Sequence, residues 1–213
     1  MLSRTLKTAT FLALVLPAYA HAGLMVDIGL TGQSVADGFD TLSSASDSNN
    51  ASGSFGGLSV GTVDLSVTAT GGAGFRDRGQ ISDDIADDFI FGTQSVFVTF
   101  GGLSRAQTYS FKLWSHDAGY AQSTFDIYAN GTLTAGTFSP STGSSGPITT
   151  ASFNFVADSG DNVIELREVT QARGTDSAVI LNAIEVSEVP APATLALFGL
   201  GLVGLGWKKR KTG

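Results

Sequence analysis

Ser115, His116 and Asp117 stand side by side in SHDAG, residues 115–119, and their types are those of a nucleophile, its general base and the carboxylate that orients the base. Such a relay needs all three side chains within reach of one another. Consecutive residues of an extended strand point to opposite faces, so these three cannot form it among themselves, and no G-x-S-x-G elbow supplies another nucleophile. The segment therefore reads as a strand end followed by a polar turn. A second concentration lies in FRDRGQISDDIADDF, residues 75–89, where Asp83, Asp84, Asp87 and Asp88 crowd beside Arg76 and Arg78. Calcium prefers clustered carboxylate and carbonyl oxygens, which makes these four the candidate metal ligands and Ca2+ the one cofactor they suggest. The spacing is not that of an EF-hand, and a solvated acidic loop neutralised in part by its own arginines fits the same residues. Glycoside hydrolysis would need two carboxyl groups facing each other about 5 to 9.5 Å apart, which one loop does not supply. Third, Trp114 shares a strand face with His116 and precedes a turn carrying Tyr120. A flat indole can stack on the apolar face of a sugar ring while imidazole and phenol fix its hydroxyls, so these three are the candidate ligand-binding residues. The bland alternative is an indole packed under a loop.

The elements that would position these groups follow from a period of two. In LSVGTVDLSVTAT, residues 58–70, apolar and small polar residues alternate, with a phase slip at Gly61 and Thr62 that predicts a bulge or turn. DFIFGTQSVFVTFGGL, residues 88–103, gives two strands, the second with Val96, Val98 and Phe100 on one face. TYSFKLWSHD, residues 108–117, sets Tyr109, Phe111 and Leu113 against Ser110, Lys112 and Trp114. Phe125 and Ile127 alternate ahead of Asn130-Gly131, a strong hairpin signal. Strands over 152–156 and 162–169 flank an Asp-Ser-Gly-Asp turn, and a last one lies within 177–189. No segment holds an amphipathic helix of three turns. The fold class expected is all-β, an antiparallel β-sandwich. Residues 40–57 and 139–150, poor in apolar side chains, are expected as mobile loops at one end of it.

All 19 acidic residues but only six of the 12 basic ones fall between Asp27 and Glu188, leaving that body with a net charge of −13. A polyanion would bind against this repulsion, which argues against nucleic acid as a partner. With no cysteine there is no disulfide, thiolate nucleophile or Cys-ligated metal, and two histidines are too few for a zinc cluster. Residues 1–22 order a basic start (Arg4, Lys7), an apolar run and small residues spaced for cleavage, the pattern of a cleavable signal peptide handled by the Sec machinery and signal peptidase. At the other end, Ala191 to Trp207 is a chargeless stretch of 17 residues rich in glycine, closed by KKRK at 208–211. That describes a short membrane span with a cytoplasmic basic stop, and hence a transient inner-membrane intermediate.

Two resemblances sharpen this. The tail resembles the PEP-CTERM sorting domain, in which a V-P-x-P motif precedes a Gly-rich apolar span and a basic cluster. Val189, Pro190 and Pro192 match the motif at 189–192, residues 193–207 the span, and Lys208, Lys209 and Arg210 the cluster within 208–211. Ala191 stands where the family commonly has Glu. The resemblance implies recognition by the membrane enzyme exosortase, cleavage near the motif, and delivery of the body to the cell surface or matrix of a Gram-negative bacterium. The order VDIG, FVTFGGL, YSFKLWSHD, FDIYANG, FNFVADSGDNVIEL and AVILNAIEV resembles galactose-binding-like and malectin-like jelly rolls, which implies a last strand returning to pair near the first.

The expected organisation is a signal peptide (1–22), a β-sandwich domain (23–188) and a sorting tail (189–213). The expected function is that of an exported, non-catalytic envelope or matrix protein that binds carbohydrate or exopolysaccharide. A structural biofilm-matrix protein without a specific sugar site is the alternative, and a glycan hydrolase stands third.

Overall fold

Alternating sequences give strands with one apolar side, and two sheets hide those sides by facing each other. The computed structural model describes residues 23–44, 50–60, 63–79, 83–144, 147–170 and 177–190. The predicted signal peptide, the apolar span and the basic cluster lie outside them. The described residues form β1 (Leu24–Leu30), β2 (Asp40–Ser44), β3 (Asn50–Val60), β4 (Val63–Asp77), β5 (Asp88–Gly92), β6 (Ser95–Gly101), β7 (Thr108–Asp117), β8 (Thr124–Ala129), β9 (Thr132–Phe138), β10 (Ser141–Thr142), β11 (Thr149–Val156), β12 (Asn162–Thr170), β13 (Val179–Leu181) and β14 (Ala183–Glu188).

The first sheet runs β10-β7-β14-β1-β2, with β11 also on β7. The second runs β13-β5-β4-β6-β12-β8-β9, with β3 also on β4. The described residues are all-β, two sheets that are mostly antiparallel and face each other as a sandwich; β1–β2 and β7–β10 are parallel pairs. Val26, Ile28, Phe111, Leu113, Ile184 and Val186 from the first sheet meet Leu65, Val67, Val98, Phe100, Ile127 and Leu166 from the second, all buried in one core. The Phe100 and Phe111 rings cross the gap edge-on with centroids 6.0 Å apart. Side chains of this size contribute about 1.5–3 kcal/mol each on full burial, which makes this layer the main stabiliser of the fold.

β14 lies between β7 and β1, and its register with β1, Leu24↔Val186 to Asp27↔Ala183, is the return of the last strand to the first. β3 and β4 pair across 61–62 with Val60 opposite Val63, so the phase slip marks a hairpin. The Asn130-Gly131 hairpin joins β8 to β9, both residues at positive φ (49° and 77°), where asparagine and glycine are the tolerant choices.

Two expectations need correction. The described residues of 40–57, namely 40–44 and 50–57, are strands and not a loop: β2 pairs with β1 and β3 with β4. Their ladders rest on backbone hydrogen bonds, and small residues suit edge strands whose register slips between Ser54 and Gly57; apolar content was the wrong criterion. Within 139–150, Ser141 and Thr142 pair with the end of β7 and β11 begins at Thr149.

Candidate functional site

Outward-facing residues of the first sheet line up across the strands as Trp114, Ala183, Asp27 and Thr41. Trp114 and Asp27 are thus two strands apart, about 10 Å at the usual strand spacing. The segment from Thr31 to Phe39 joins β1 to β2 and touches both ends of that interval. Ala36 N–H donates to Asp27 Oδ2 at 3.0 Å. The Phe39 ring meets Trp114 edge-on with centroids 5.5 Å apart. The Lys112 ammonium sits over the indole, 4.2 Å from its centroid. Trp114 is half-buried, in contact with an aromatic ring and a cation, with Lys112 and Glu185 as polar neighbours in the adjoining row.

Asp27 shares a cavity of about 90 Å³ with Asp88 of β5, lined also by Gln33, Ser34, Thr41 and Ser43. Asp88 Oδ2 accepts from Leu30 N–H at 3.1 Å. A Cβ on Gly29 would fall 1.6 Å from that oxygen, so only a glycine lets Asp88 reach across β1. Both aspartates are buried, and the Oδ1 atom of each has no hydrogen-bond partner. Burial pushes the Asp27 carboxyl up to about 6 against its N–H bonds, with the charges of Asp84 and Asp83 adding to the rise. Burial, then the charge of Asp27, pushes Asp88 up to about 7.

The acidic loop itself is not a four-carboxylate site. Asp83 Oδ1 caps its own turn by accepting from Ile85 N–H at 3.1 Å, and the Asp87 carbonyl accepts from Arg78 N–H. Among the described residues, no three His, Cys, Asp or Glu side chains are placed to share an ion. Asp88 alone turns inward, toward a partner 61 residues earlier in the chain. Asp27 was missed because it sits in VDIG, an apolar strand; a carboxylate there was the available signal.

Ser115, His116 and Asp117 belong to separate networks. Ser115 Oγ donates to the Ile180 carbonyl at 2.8 Å, and His116 Nδ1 is hydrogen-bonded to Ser141 Oγ at 2.8 Å. Burial holds the imidazole below its ordinary value, so the ring is neutral at pH 7. Asp117, fully buried, takes both arms of the Arg78 guanidinium at 2.8 and 2.7 Å. Burial alone would raise its pKa; Arg78, Gln122 and the Gly119 N–H reverse that and hold it below the usual range. Tyr120 is 47% exposed with its ring over Arg78, 4.9 Å from the guanidinium carbon. Trp114 and Tyr120 therefore present rings in different settings, while His116 is buried between them in sequence.

Val189 N–H donates to the Thr108 carbonyl, so the last described residues lie at the start of β7. Residues 188–211, which begin there, match the family model of the PEP-CTERM protein-sorting motif. The chain carries an exosortase sorting signal. The PEP-CTERM motif marks the protein for membrane-anchored export and sorting to the cell surface, and implies processing by exosortase. It spans the tail only. For the body, no curated protein matches. Among solved structures, Bacteroides uniformis β-glucuronidase is 12% identical with a TM-score of 0.51, over 79% of this chain and 18% of that one. A calcium binding mutant of B. uniformis β-glucuronidase 2 gives the same values. A family 35 carbohydrate binding module from Clostridium thermocellum is 13% identical with a TM-score of 0.34, over 47% of this chain and 78% of that one. The chain spans under a fifth of the glucuronidases, and likeness at this identity shows a shared fold alone.

Proposed function

We propose that the protein is a non-catalytic carbohydrate-binding component of the envelope or exopolysaccharide matrix of a Gram-negative bacterium. Residues 1–22 direct Sec export and are removed by signal peptidase, 23–188 form the binding domain, and 189–213 anchor it in the inner membrane until exosortase acts. What supports this reading most directly is Trp114. Its ring lies on the outer face of a central strand, fixed by Phe39 and Lys112, so little freedom remains to be lost when a pyranose stacks on it. Tyr120 offers a second ring beyond the end of β7, and His116 steadies that end through Ser141. The matched glucuronidases act on sugars by name, which fits a glycan-directed body.

The test is Trp114→Ala, with retention on an immobilised exopolysaccharide column as the readout. Retention should be lost while the protein stays folded, with stability lowered by about 1–3 kcal/mol as the Phe39 and Lys112 contacts go. Full retention by a folded variant would remove the sugar site from this face and favour an inert matrix scaffold, and an unfolded variant would make Trp114 a packing residue.

A further inference from the structure

The geometry points to a calcium site in the cavity between β1, β5 and the 31–39 segment, built by Asp27 and Asp88, whose ion fixes that segment and so holds Phe39 against Trp114. Two carboxylates face one small cavity, each 3% exposed or less, and each keeps an unpartnered oxygen there. Buried charge is tolerated when it is paired, and among the described residues no Lys, Arg or His lines this cavity to pair with it. A single divalent cation matches the two formal negative charges. Beside the apolar Leu30 and Val35, the lining adds further oxygens in the amide of Gln33 and the hydroxyls of Ser34, Thr41 and Ser43. An all-oxygen set without imidazole or thiolate excludes a site built for zinc. Ligands drawn from a strand, a sheet edge and a loop lack the tight octahedron that magnesium demands, and calcium accepts such irregular shells. Gly29 supports this seat, since any side chain there would displace the Asp88 carboxylate.

The consequence runs through the segment. Ala36 is bonded to Asp27, and Phe39 N–H to the Ala36 carbonyl at 3.0 Å, so an ion on Asp27 is three residues from the ring that props Trp114. Occupancy of the seat would set how firmly the indole is presented. This second half rests on the carbohydrate reading, and the ion site does not.

The experiment titrates calcium chloride into the full chain, purified in detergent and freed of metal by chelator, at pH 7.5 in a calorimeter. One equivalent should bind with a Kd on the order of 10⁻⁴ to 10⁻³ M, the range of extracellular modules. The melting temperature should rise roughly 5–10 °C at a hundredfold excess over Kd. Asp27→Asn and Asp88→Asn should each abolish binding, and Asp83→Asn with Asp84→Asn should leave it. Because either cavity variant could misfold, hydrogen exchange on the unaltered protein locates the ion independently: calcium should slow exchange within 31–39. No binding in the unaltered protein overturns the site, as does protection confined to 83–87 or binding that survives both cavity variants. Chelator should lower retention on the exopolysaccharide column at least threefold. Calcium binding with unchanged retention would overturn the coupling to Trp114 and leave the ion site standing. Full retention by Trp114→Ala would instead sink the carbohydrate reading without touching the calorimetry.

Discussion

Without calcium, Asp88→Asn should make the protein more stable at pH 8 and change it little at pH 4. Asp88 titrates at about 7 in the folded protein against an ordinary value of 3.8. Between those values the native state holds a proton that the unfolded chain has released, so stability falls as pH rises across that window. At 1.36 kcal/mol per pKa unit the loss is about 4 kcal/mol. Asp27, at about 6, acts in the same direction, but part of the rise at Asp88 is the charge of Asp27, so the two losses are not summed. Asp77, Asp83, Asp84 and Asp87 add negative charge around the cavity in both proteins. An amide at 88 stays neutral throughout and so escapes the repulsion that the Asp27 charge exerts on Asp88. For a domain of this size the advantage at pH 8 corresponds to roughly 8–16 °C in Tm. Thermal unfolding followed by circular dichroism in EDTA, at half-unit steps from pH 4 to 8, reads it. Parallel curves for the two proteins would refute the claim that the cavity holds paired, strained carboxylates.

Arg78→Met leaves the Asp117 charge buried without its cation and should cost about 3–5 kcal/mol in urea unfolding at pH 7, with a change below about 1 kcal/mol showing that Asp117 is satisfied otherwise. Asp117 contributes stability that is present above pH 4 and lost as pH falls through its depressed pKa, so the variant should also lose most of this acid-side dependence. Deleting residues 190–213 should release the body as a soluble periplasmic or extracellular protein, whereas deleting 1–22 should keep it in the cytoplasm; a tail-less body that still fractionates with membranes contradicts the anchor.

Period-two alternation was enough to read the strands that face the core, because burial on one side dictates which residue types recur. β6, β7 and β8 carry the inward residues expected of them. It was blind to β2 and to β3 ahead of Leu58, whose small polar residues are held by backbone ladders that leave no compositional trace. For the site, the outward placement of Trp114 follows from alternation along β7, and Asp88 belongs to the acidic run. Lys112, two residues before Trp114 on the same strand, was legible by the same alternation, whereas Asp27 and Phe39 were hidden because what they share with Trp114 and Asp88 is cross-strand register and the path of one connection, properties of the assembled sheet.

The bond from Val189 N–H to the Thr108 carbonyl ties the last described residues to the start of β7. β7 runs from Thr108 to Asp117, so Trp114 lies six residues along the strand from the point where the tail departs, about 20 Å. β1 begins at that same end, opposite Val186, which sets the chain's exported start beside its tethered finish. The indole and Asp27 lie farther along the sheet, away from both Leu24 and Val189, which separates the candidate site from the two points where the described sandwich begins and ends.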